Sequence, residues 1–391
     1  MIVSHLTLND FRNYETAEVD LVPGPNVFVG QNGQGKTNLV EAIGYLSTLG
    51  SHRVSSDQAL IRHGSDSAIV RARLEHADRS VLVELQLNRS GANRAQVNRV
   101  GVKPRDLPRY IATVLFAPED LALVRGEPSG RRRFLDQLLV QFSPRFSGIL
   151  ADYDRALRQR NSLLKSARGA RVGENQLSTL ELWNDRLVEF GTLIIDGRAD
   201  LVSRLRPHVA EAYELIAGAG QVAELSTQLS ILGSQPDDDP SPTMTTTTPD
   251  AGVATADVFR DALHRVRRAE LDRGISLVGP HRDDLVLTLN GLPARGYASH
   301  GESWSFALSL KLASAAILRL ESAVGDPVVV LDDVFAELDA TRRVQLAAAI
   351  SGYEQVLITA AVAEDVPVEL AGNSVRIEAG RVIVESNGGA A

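Results

Sequence analysis

No cysteine occurs in the 391 residues, which excludes disulfides and thiolate metal sites. The eight histidines show no HExxH-like spacing. Any metal is therefore expected to be Mg²⁺ held by oxygen ligands. No run of eighteen apolar residues is present, and the opening MIVSHLTLNDFRNYE lacks the basic start and apolar core of a signal peptide. Cytosolic residence and no membrane partner are the expectations that follow.

A hydrophobic content of 44% is enough for a large core, in one big domain or two. The formal net charge of −8 argues against a globally basic nucleic-acid binder, but the charge is unevenly placed. Between Arg125 and Arg171 stand eleven Lys/Arg against four acids (Glu127, Asp136, Asp152, Asp154), a local excess of seven that leaves about −15 elsewhere. Such a run reads either as a solvated helix face or as a surface for duplex backbone. In the second reading Arg158, Arg160 and Lys165 are the candidate DNA contacts.

Short β-like runs open the chain at Ile2 to Leu8, Thr16 to Leu21 and Asn26 to Val29. The third enters a glycine-rich turn before Asn38-Leu-Val-Glu-Ala-Ile, a strand, loop and helix in succession. Alternating segments at Ala68 to Leu74, Ser80 to Leu87 and Arg94 to Val102 predict antiparallel strands, and Ile111 to Phe116 a further apolar one. From Glu119 to Ile216 the period turns helical, with Leu180, Trp183, Leu187, Phe190, Ile194, Leu201 and Leu205 forming a core stripe that Pro207 is expected to close. Residues 233–256 have almost no large apolar side chains and read as a disordered surface insertion. Strands then return at Ser276 to Val278, Leu285 to Leu289, Val328 to Leu331 and Val356 to Thr359, with helices near Gly301 to Glu321 and Thr341 to Ile350. The expected organisation is one α/β lobe in two halves, 1–118 and 273–391, interrupted by a helical arm at 119–272.

Gly30-Gln31-Asn32-Gly33-Gln34-Gly35-Lys36-Thr37 matches G-x-x-x-x-G-K-[ST] in the required place, after an apolar strand and before a helix. The glycines let successive N–H groups face phosphates, and the helix N-terminus adds positive potential. Lys36 is expected at the β and γ phosphates and Thr37 on Mg²⁺, with Asn38 next in the cradle. Pro327 to Leu331 is an apolar strand ending in Asp332 and Asp333, the layout of a Walker B segment. There Asp332 is expected to hold Mg²⁺ through its water shell and Asp333 to orient the attacking water, which makes Lys36, Asp332 and Asp333 the catalytic set. Ser299-His300-Gly301-Glu302 is a capping box, and a glycine-containing helix N-terminus can also bind the γ-phosphate of a nucleotide held by another subunit, an expectation supported by its place about 25 residues before that strand, as in ABC-type ATPases. The two readings are compatible.

With these motifs the chain resembles the RecF family over nearly its whole length. The further matches are Phe11-Arg12-Asn13-Tyr14, the stretch Gly30 to Ile43, Ala117 to Leu121, Arg131 to Asp136, Gly279 to Asp284 and Leu331 to Asp339. The resemblance implies an α/β fold, a P-loop ABC-type ATPase head similar to SMC heads, with an inserted helical lobe. It implies ATP and Mg²⁺ as cofactors, an ATP-dependent homodimer that clamps duplex DNA at gap junctions, slow DNA-stimulated hydrolysis, and action with RecO and RecR in loading RecA. Carried over by position, Arg12 approaches the phosphates, Ser299, Gly301 and Glu302 contact nucleotide across the dimer, and Asp339 belongs to the D-loop. The alternatives are pairing with a surface acid for Arg12, an N-cap for Asp339 and a turn-ordering role for His281 and Arg282. Two features depart from the wider ABC pattern: the catalytic glutamate is replaced by the shorter Asp333, and Thr359-Ala-Ala stands where a switch histidine is expected. No Q-loop glutamine is found near Pro118 to Leu121. The rival readings are a transporter ATPase subunit, which calls for a switch histidine, and a small-molecule kinase, which needs no Ser299 to Glu302 element.

Overall fold

Alternating apolar residues in the first hundred positions bury one face of each strand, and in the computed structural model they assemble a six-stranded sheet. The structure describes residues 1–54, 56–167, 174–233, 254–322 and 325–383. That sheet runs in the order β2-β1-β4-β5-β6-β7, all neighbours antiparallel. Its strands are β1 (Ile2–Phe11), β2 (Tyr14–Asp20), β4 (Ser67–His76), β5 (Arg79–Asn88), β6 (Arg94–Val97) and β7 (Val100–Val102). Leu6, Leu8, Val70, Ala72, Val83 and Leu85 point inward. The single strand expected over Arg94 to Val102 is a hairpin, because Asn98 and Arg99 both take positive φ (49° and 67°) and reverse the chain.

A second six-stranded sheet has the order β15-β14-β3-β13-β12-β8. It contains β3 (Gly24–Val29), β8 (Thr113–Phe116), β12 (Val328–Asp332), β13 (Gln355–Ala360), β14 (Asn373–Glu378) and β15 (Arg381–Ile383), parallel except for the β14/β15 edge pair. β12 and β13 are buried at every position, as parallel strands covered on both faces must be. Helix α1 (Lys36–Thr48) contributes Leu39, Val40, Ile43 and Leu46 to one hydrophobic cluster shared with both sheets. β14 and β15 were not foreseen from the sequence.

The chain divides into two compact units. The first comprises Met1–Leu121, Glu211–Ala219 and the stretch from Ala307, and holds both sheets just described. The second comprises Ala122–Ala210 and Gly220–Phe306. Residues 273–306, expected with the ATPase lobe, are therefore grouped with the helical arm. The helices are α2 (Leu121–Arg125), α3 (Pro128–Phe142), α4 (Phe146–Ala167), α5 (Glu174–Ala217), α6 (Thr255–Arg273), the short α7 (Ala294–Tyr297), α8 (His300–Glu321) and α9 (Ala340–Ile350). A small sheet, β11-β10-β9, joins β9 (Ala223–Gln228), β10 (Asp284–Leu289) and β11 (Leu292–Pro293). Tyr153, Leu187, Ile194, Phe259 and Leu263 form the second unit's core.

Two expectations are corrected here. α5 runs through Pro207 to Ala217. Val209, Tyr213 and Ile216 continue the buried stripe beyond the proline, so burial outweighs the loss of one backbone hydrogen bond. Ser276 to Val278 is no strand, because side chains take its backbone donors: Asn161 Oδ1 accepts from Ser276 N at 2.8 Å and Glu270 Oε1 from Leu277 N at 2.8 Å. The insertion expected at 233–256 falls almost wholly outside the described residues, as do Arg168 and Arg171. Among the described residues no helix is long and apolar enough to cross a membrane.

Candidate nucleotide-binding site

β3, β13 and β12 lie side by side and parallel, so their carboxyl ends open on one edge of the sheet, where open α/β sheets bind ligands. β3 delivers the loop Gly30 to Gly35, β12 ends in Asp332, and Thr359 stands near the end of β13 between them. The loop is pinned from several sides. A Cβ on Gly30 would lie 2.3 Å from the Ile377 carbonyl oxygen, and Gly35 has φ 116° with the Tyr14 hydroxyl 2.8 Å from where its Cβ would be, so only glycine fits at either place. Gln31, Asn32 and Gly33 are exposed at the rim. Gln34 anchors its far side, its carbonyl accepting from Gly380 N at 3.0 Å and its side chain from Ala379 N.

Lys36 is only 3% exposed, and its ammonium donates to the Gly30 carbonyl at 2.7 Å and the Gln31 carbonyl at 3.2 Å. The charge is thus held inside the loop's own curve. Thr37 Oγ1 donates to Asp332 Oδ1 at 2.8 Å, and so does Thr359 Oγ1 at 2.8 Å. The same Thr359 oxygen accepts the Asp333 N–H at 2.9 Å. Asp332 Oδ2 faces His52 Nε2 at 3.5 Å. Asp333 sits in the left-handed region at φ 52°, an expensive conformation for a residue with a Cβ. Partial burial pushes its carboxyl above the usual aspartate range, with Lys36 pulling the other way. A hydroxyl and a carboxylate converging on one point are hard oxygen donors and fit Mg²⁺. Among the described residues no cluster of three or more His, Cys, Asp or Glu forms a separate metal cage.

The Phe11 to Tyr14 segment supports the loop. Asn13 Nδ2 donates to the Gln34 carbonyl at 3.2 Å, the Tyr14 hydroxyl to the Gly35 carbonyl at 3.1 Å, and Asn38 Nδ2 to Asn13 Oδ1 at 2.7 Å. Burial pushes the Tyr14 phenol well above its ordinary range, so it stays a proton donor. Arg12 is held elsewhere. Its Nε and Nη2 clamp the buried Glu41 carboxylate at 2.8 and 2.6 Å, and Nη1 donates to the Ala59 carbonyl at 3.0 Å. Arg12 forms an ion pair, but its partner is a core acid of α1 and not the surface acid expected.

In the second unit Ser299 and Glu302 form the reciprocal capping box: Ser299 N donates to Glu302 Oε2 at 2.8 Å and Glu302 N to Ser299 Oγ at 3.3 Å. Gln221 Nε2 adds a bond to Glu302 Oε1 at 2.7 Å. Gly301 lies in the first turn of α8. Back in the first unit, Asp339 caps α9 by accepting the Arg342 N–H at 2.9 Å, which with the nearby guanidinium holds its carboxyl below the usual range.

The matched segments Arg131 to Asp136 and Gly279 to Asp284 are two halves of one polar cluster. Arg131 grips Asp284 through two bonds of 2.7 Å, Arg132 donates to the Asp283 carbonyl at 2.8 Å, and Arg198 grips Asp136 at 2.8 and 2.9 Å. Burial pushes His281 down to about 3, so it stays neutral beside the Tyr153 hydroxyl at 2.7 Å. His281 and Arg282 both reach the Ser276 carbonyl, at 3.4 Å and 3.3 Å, and so order this turn.

Of the expected DNA contacts, Arg158 and Lys165 are exposed on α4. Arg160 is not. It is 1% exposed, with Glu270 Oε2 at 2.5 Å, Asn184 Oδ1 at 2.7 Å and Ser276 Oγ at 2.7 Å. A guanidinium buried against these three partners and paired with a buried carboxylate is out of reach of a phosphate, and Arg160 is removed from the DNA set.

Residues 2–379 match the model of the RecF/RecN/SMC N terminal domain. A DNA replication and repair protein RecF from Leifsonia xyli subsp. xyli is 61% identical over 386 residues, covering 99% of this chain and 100% of that one. The chain belongs to the RecF family. A second RecF, from Clavibacter michiganensis subsp. michiganensis, is 60% identical over 98% of this chain and 96% of its own length. Among solved structures, one of the recombination mediator protein RecF with ATP, in the RecFOR pathway, is 28% identical with a TM-score of 0.84, over 97% of this chain and 96% of that one. An Smc head bound to the C-winged helix domain of ScpA is 14% identical with a TM-score of 0.51, covering 98% and 97%, and that likeness is one of fold alone. The fold is an SMC-like ATPase head, and the RecF assignment displaces the transporter and kinase readings.

Sequence reasoning overlooked Glu41, His52 and the support given by Asn13 and Tyr14. Glu41 carried one signal, a lone acid in the apolar run of α1. The other three acquire their roles only through strand order and loop packing.

Proposed function

We propose that this RecF-family chain is a weak, DNA-stimulated ATPase that clamps duplex DNA in replication-linked recombinational repair. ATP binds at Lys36 and Thr37 of one copy and is closed over by the α8 N-terminus of a second, with Ser299, Gly301 and Glu302 at the contact. The observation that carries the reading is the convergence of the P-loop hydroxyl of Thr37 on Asp332, 2.8 Å apart at the carboxyl edge of the parallel sheet. RecF relatives are named for DNA replication and repair, and the solved RecF with ATP supports the choice of nucleotide.

Each residue has a definite task. The loop N–H groups and Lys36 take up phosphate charge. Thr37 and Asp332 would hold Mg²⁺, which when bound neutralises developing phosphate charge. Asp333, its backbone tied to Thr359, accepts a hydrogen bond from the attacking water and orients it. A carboxylate one methylene shorter than glutamate reaches less far, in keeping with slow turnover. The γ-phosphate favours closure because it adds negative charge where a second helix N-terminus approaches, and hydrolysis removes that differential contact. Arg158 and Lys165 are proposed as contacts to duplex backbone, and RecO, RecR and RecA as the partners at gaps. The clamp acts in the cytosol.

Sedimentation of the full chain with ATP, ADP and duplex DNA tests the reading, with Lys36→Ala as control. The expected result is a dimer with ATP that DNA stabilises, a monomer with ADP, and a monomer for Lys36→Ala under all conditions. A species unchanged between ATP and ADP overturns the ATP-driven clamp.

A further inference from the structure

Between Arg89 and Arg109 the chain carries six basic residues (Arg89, Arg94, Arg99, Lys103, Arg105, Arg109) against one acid, Asp106. Two of the six are engaged: Arg89 donates to the Ser65 carbonyl at 2.9 Å, and Arg109 lies 3.8 Å from Asp106. Arg94, Arg99, Lys103 and Arg105 are exposed, and among the described residues no ion pair involves any of them. They sit on the β6–β7 hairpin and the turn after it, at the open edge of the antiparallel sheet. Continuing the register Ala95↔Val102 by one step sets Arg94 opposite Lys103. Lys103 and Arg105 line a cleft of about 500 Å³ with Tyr45, Leu49 and Leu85 at its apolar side and Asp57 as its one acid.

The Arg125 to Arg171 segment contrasts with this edge. There Arg131 and Arg160 are consumed by Asp284 and Glu270 inside the second unit, and Arg125 donates to Ser303 Oγ at 3.0 Å. The hairpin cations have no such partners, although like charges on adjacent strands repel. The tip adds an independent observation. Asn98 and Arg99 both have positive φ, the geometry of a two-residue turn in which the second place favours glycine. Arg99 occupies it at φ 67°, a strained choice for a residue with a Cβ. The tip is fixed rather than loose, since Asn98 N donates to the Leu82 carbonyl at 2.8 Å and Leu82 N to Asn98 Oδ1 at 2.9 Å. A rigid ribbon thus presents a cation where the backbone itself favours none.

We propose that the β6–β7 hairpin is a nucleic-acid backbone site, in which Arg94, Arg99, Lys103 and Arg105 neutralise phosphates of a DNA duplex. It rests on the DNA-clamp reading and adds a surface on the ATPase unit that the helical segment does not supply. The chemistry is that of phosphate contact by exposed cations, which positions a duplex without specifying its sequence.

The test is fluorescence anisotropy of a labelled duplex with the full chain and ATP, over a salt series, for the unaltered protein and for Arg94→Gln, Arg99→Gly, Lys103→Gln and Arg105→Gln combined. Each lost phosphate contact lowers the slope of log affinity against log salt by about 0.9. The combined variant is expected to bind at least tenfold more weakly, with its slope reduced by about 3 to 4, while its ATP affinity stays unchanged. Arg99→Gly alone separates contact from folding, since relief of the positive φ should raise the thermal midpoint while DNA affinity falls. An unchanged slope and affinity in the combined variant, with the unaltered protein binding DNA, overturns the hairpin site alone. No duplex binding by the unaltered protein overturns the DNA-clamp reading with it. Polyglutamate that binds the unaltered protein as tightly as duplex at equal charge, and loses that binding in the variant, overturns the nucleic-acid assignment in favour of an acidic protein partner.

Discussion

Thr359 donates its hydroxyl to Asp332 Oδ1 at 2.8 Å while accepting the Asp333 N–H at 2.9 Å, so one side chain fixes both acids of the Walker B segment. The sequence offers this threonine where a switch histidine is expected, and the structure gives it a different task. Thr359→Val keeps the shape and removes both bonds. ATP turnover is expected to fall about tenfold, the equivalent of one charge-assisted hydrogen bond, with little change in ATP affinity. Thr359→Ser should restore most of it. Steady-state ATPase assays on the three proteins decide this, and a valine variant with full turnover removes the positioning role.

The capping box separates stability from assembly. Ser299→Ala loses the acceptor for Glu302 N and should cost about 1 kcal/mol of stability. Ser299→Arg should keep monomer ATP affinity near normal yet block dimerisation by bulk and charge, and Asp333→Asn should accumulate the ATP dimer. Urea unfolding reads the first, and light scattering with ATP and with ADP reads the other two. Dimerisation of Ser299→Arg with ATP would leave Ser299 as a helix cap and nothing more.

Asp283 gives the molecule a pH-dependent stability. Its Oδ1 accepts from Ser230 N and Oγ, both at 2.8 Å, but its Oδ2 is buried without a hydrogen-bond partner. Burial pushes the carboxyl up to about 6. A raised folded-state value favours the protonated form, so the stabilisation is complete below the ordinary aspartate value near 4 and is lost as pH rises through 6. Relative to Asp283→Asn, the unaltered protein should therefore lose roughly 2 to 3 kcal/mol between pH 4 and pH 7.5. Urea unfolding of both proteins across that range measures it, and parallel curves would show that Asp283 does not titrate there.

Arg160 and its neighbours on α4 should behave oppositely. Arg160→Ala strands the buried Glu270 carboxylate and is expected to destabilise the second unit by about 3 to 5 kcal/mol without a direct effect on DNA. Arg158→Glu with Lys165→Glu should leave stability nearly untouched and weaken duplex binding. Thermal melts beside DNA titrations distinguish them, and equal DNA loss without destabilisation in Arg160→Ala contradicts its buried role.

Sequence alone determined what is local. Gly30 to Thr37 is contiguous, its flanking strand and helix carry their own periodicity, and Ser299 and Glu302 are three residues apart, the spacing at which one helix turn brings a cap and its partner together. Tertiary structure decided what depends on residues far apart in the chain. Arg160 has the exposed-looking composition of a basic helix, yet its fate is set by Glu270, 110 positions away. β13 falls between β3 and β12, and only that strand order puts Thr359 between the phosphate loop and the acids. Periodicity reports which face of an element is buried. It does not report which element lies beside it, and the energy of a buried charge depends on that neighbour.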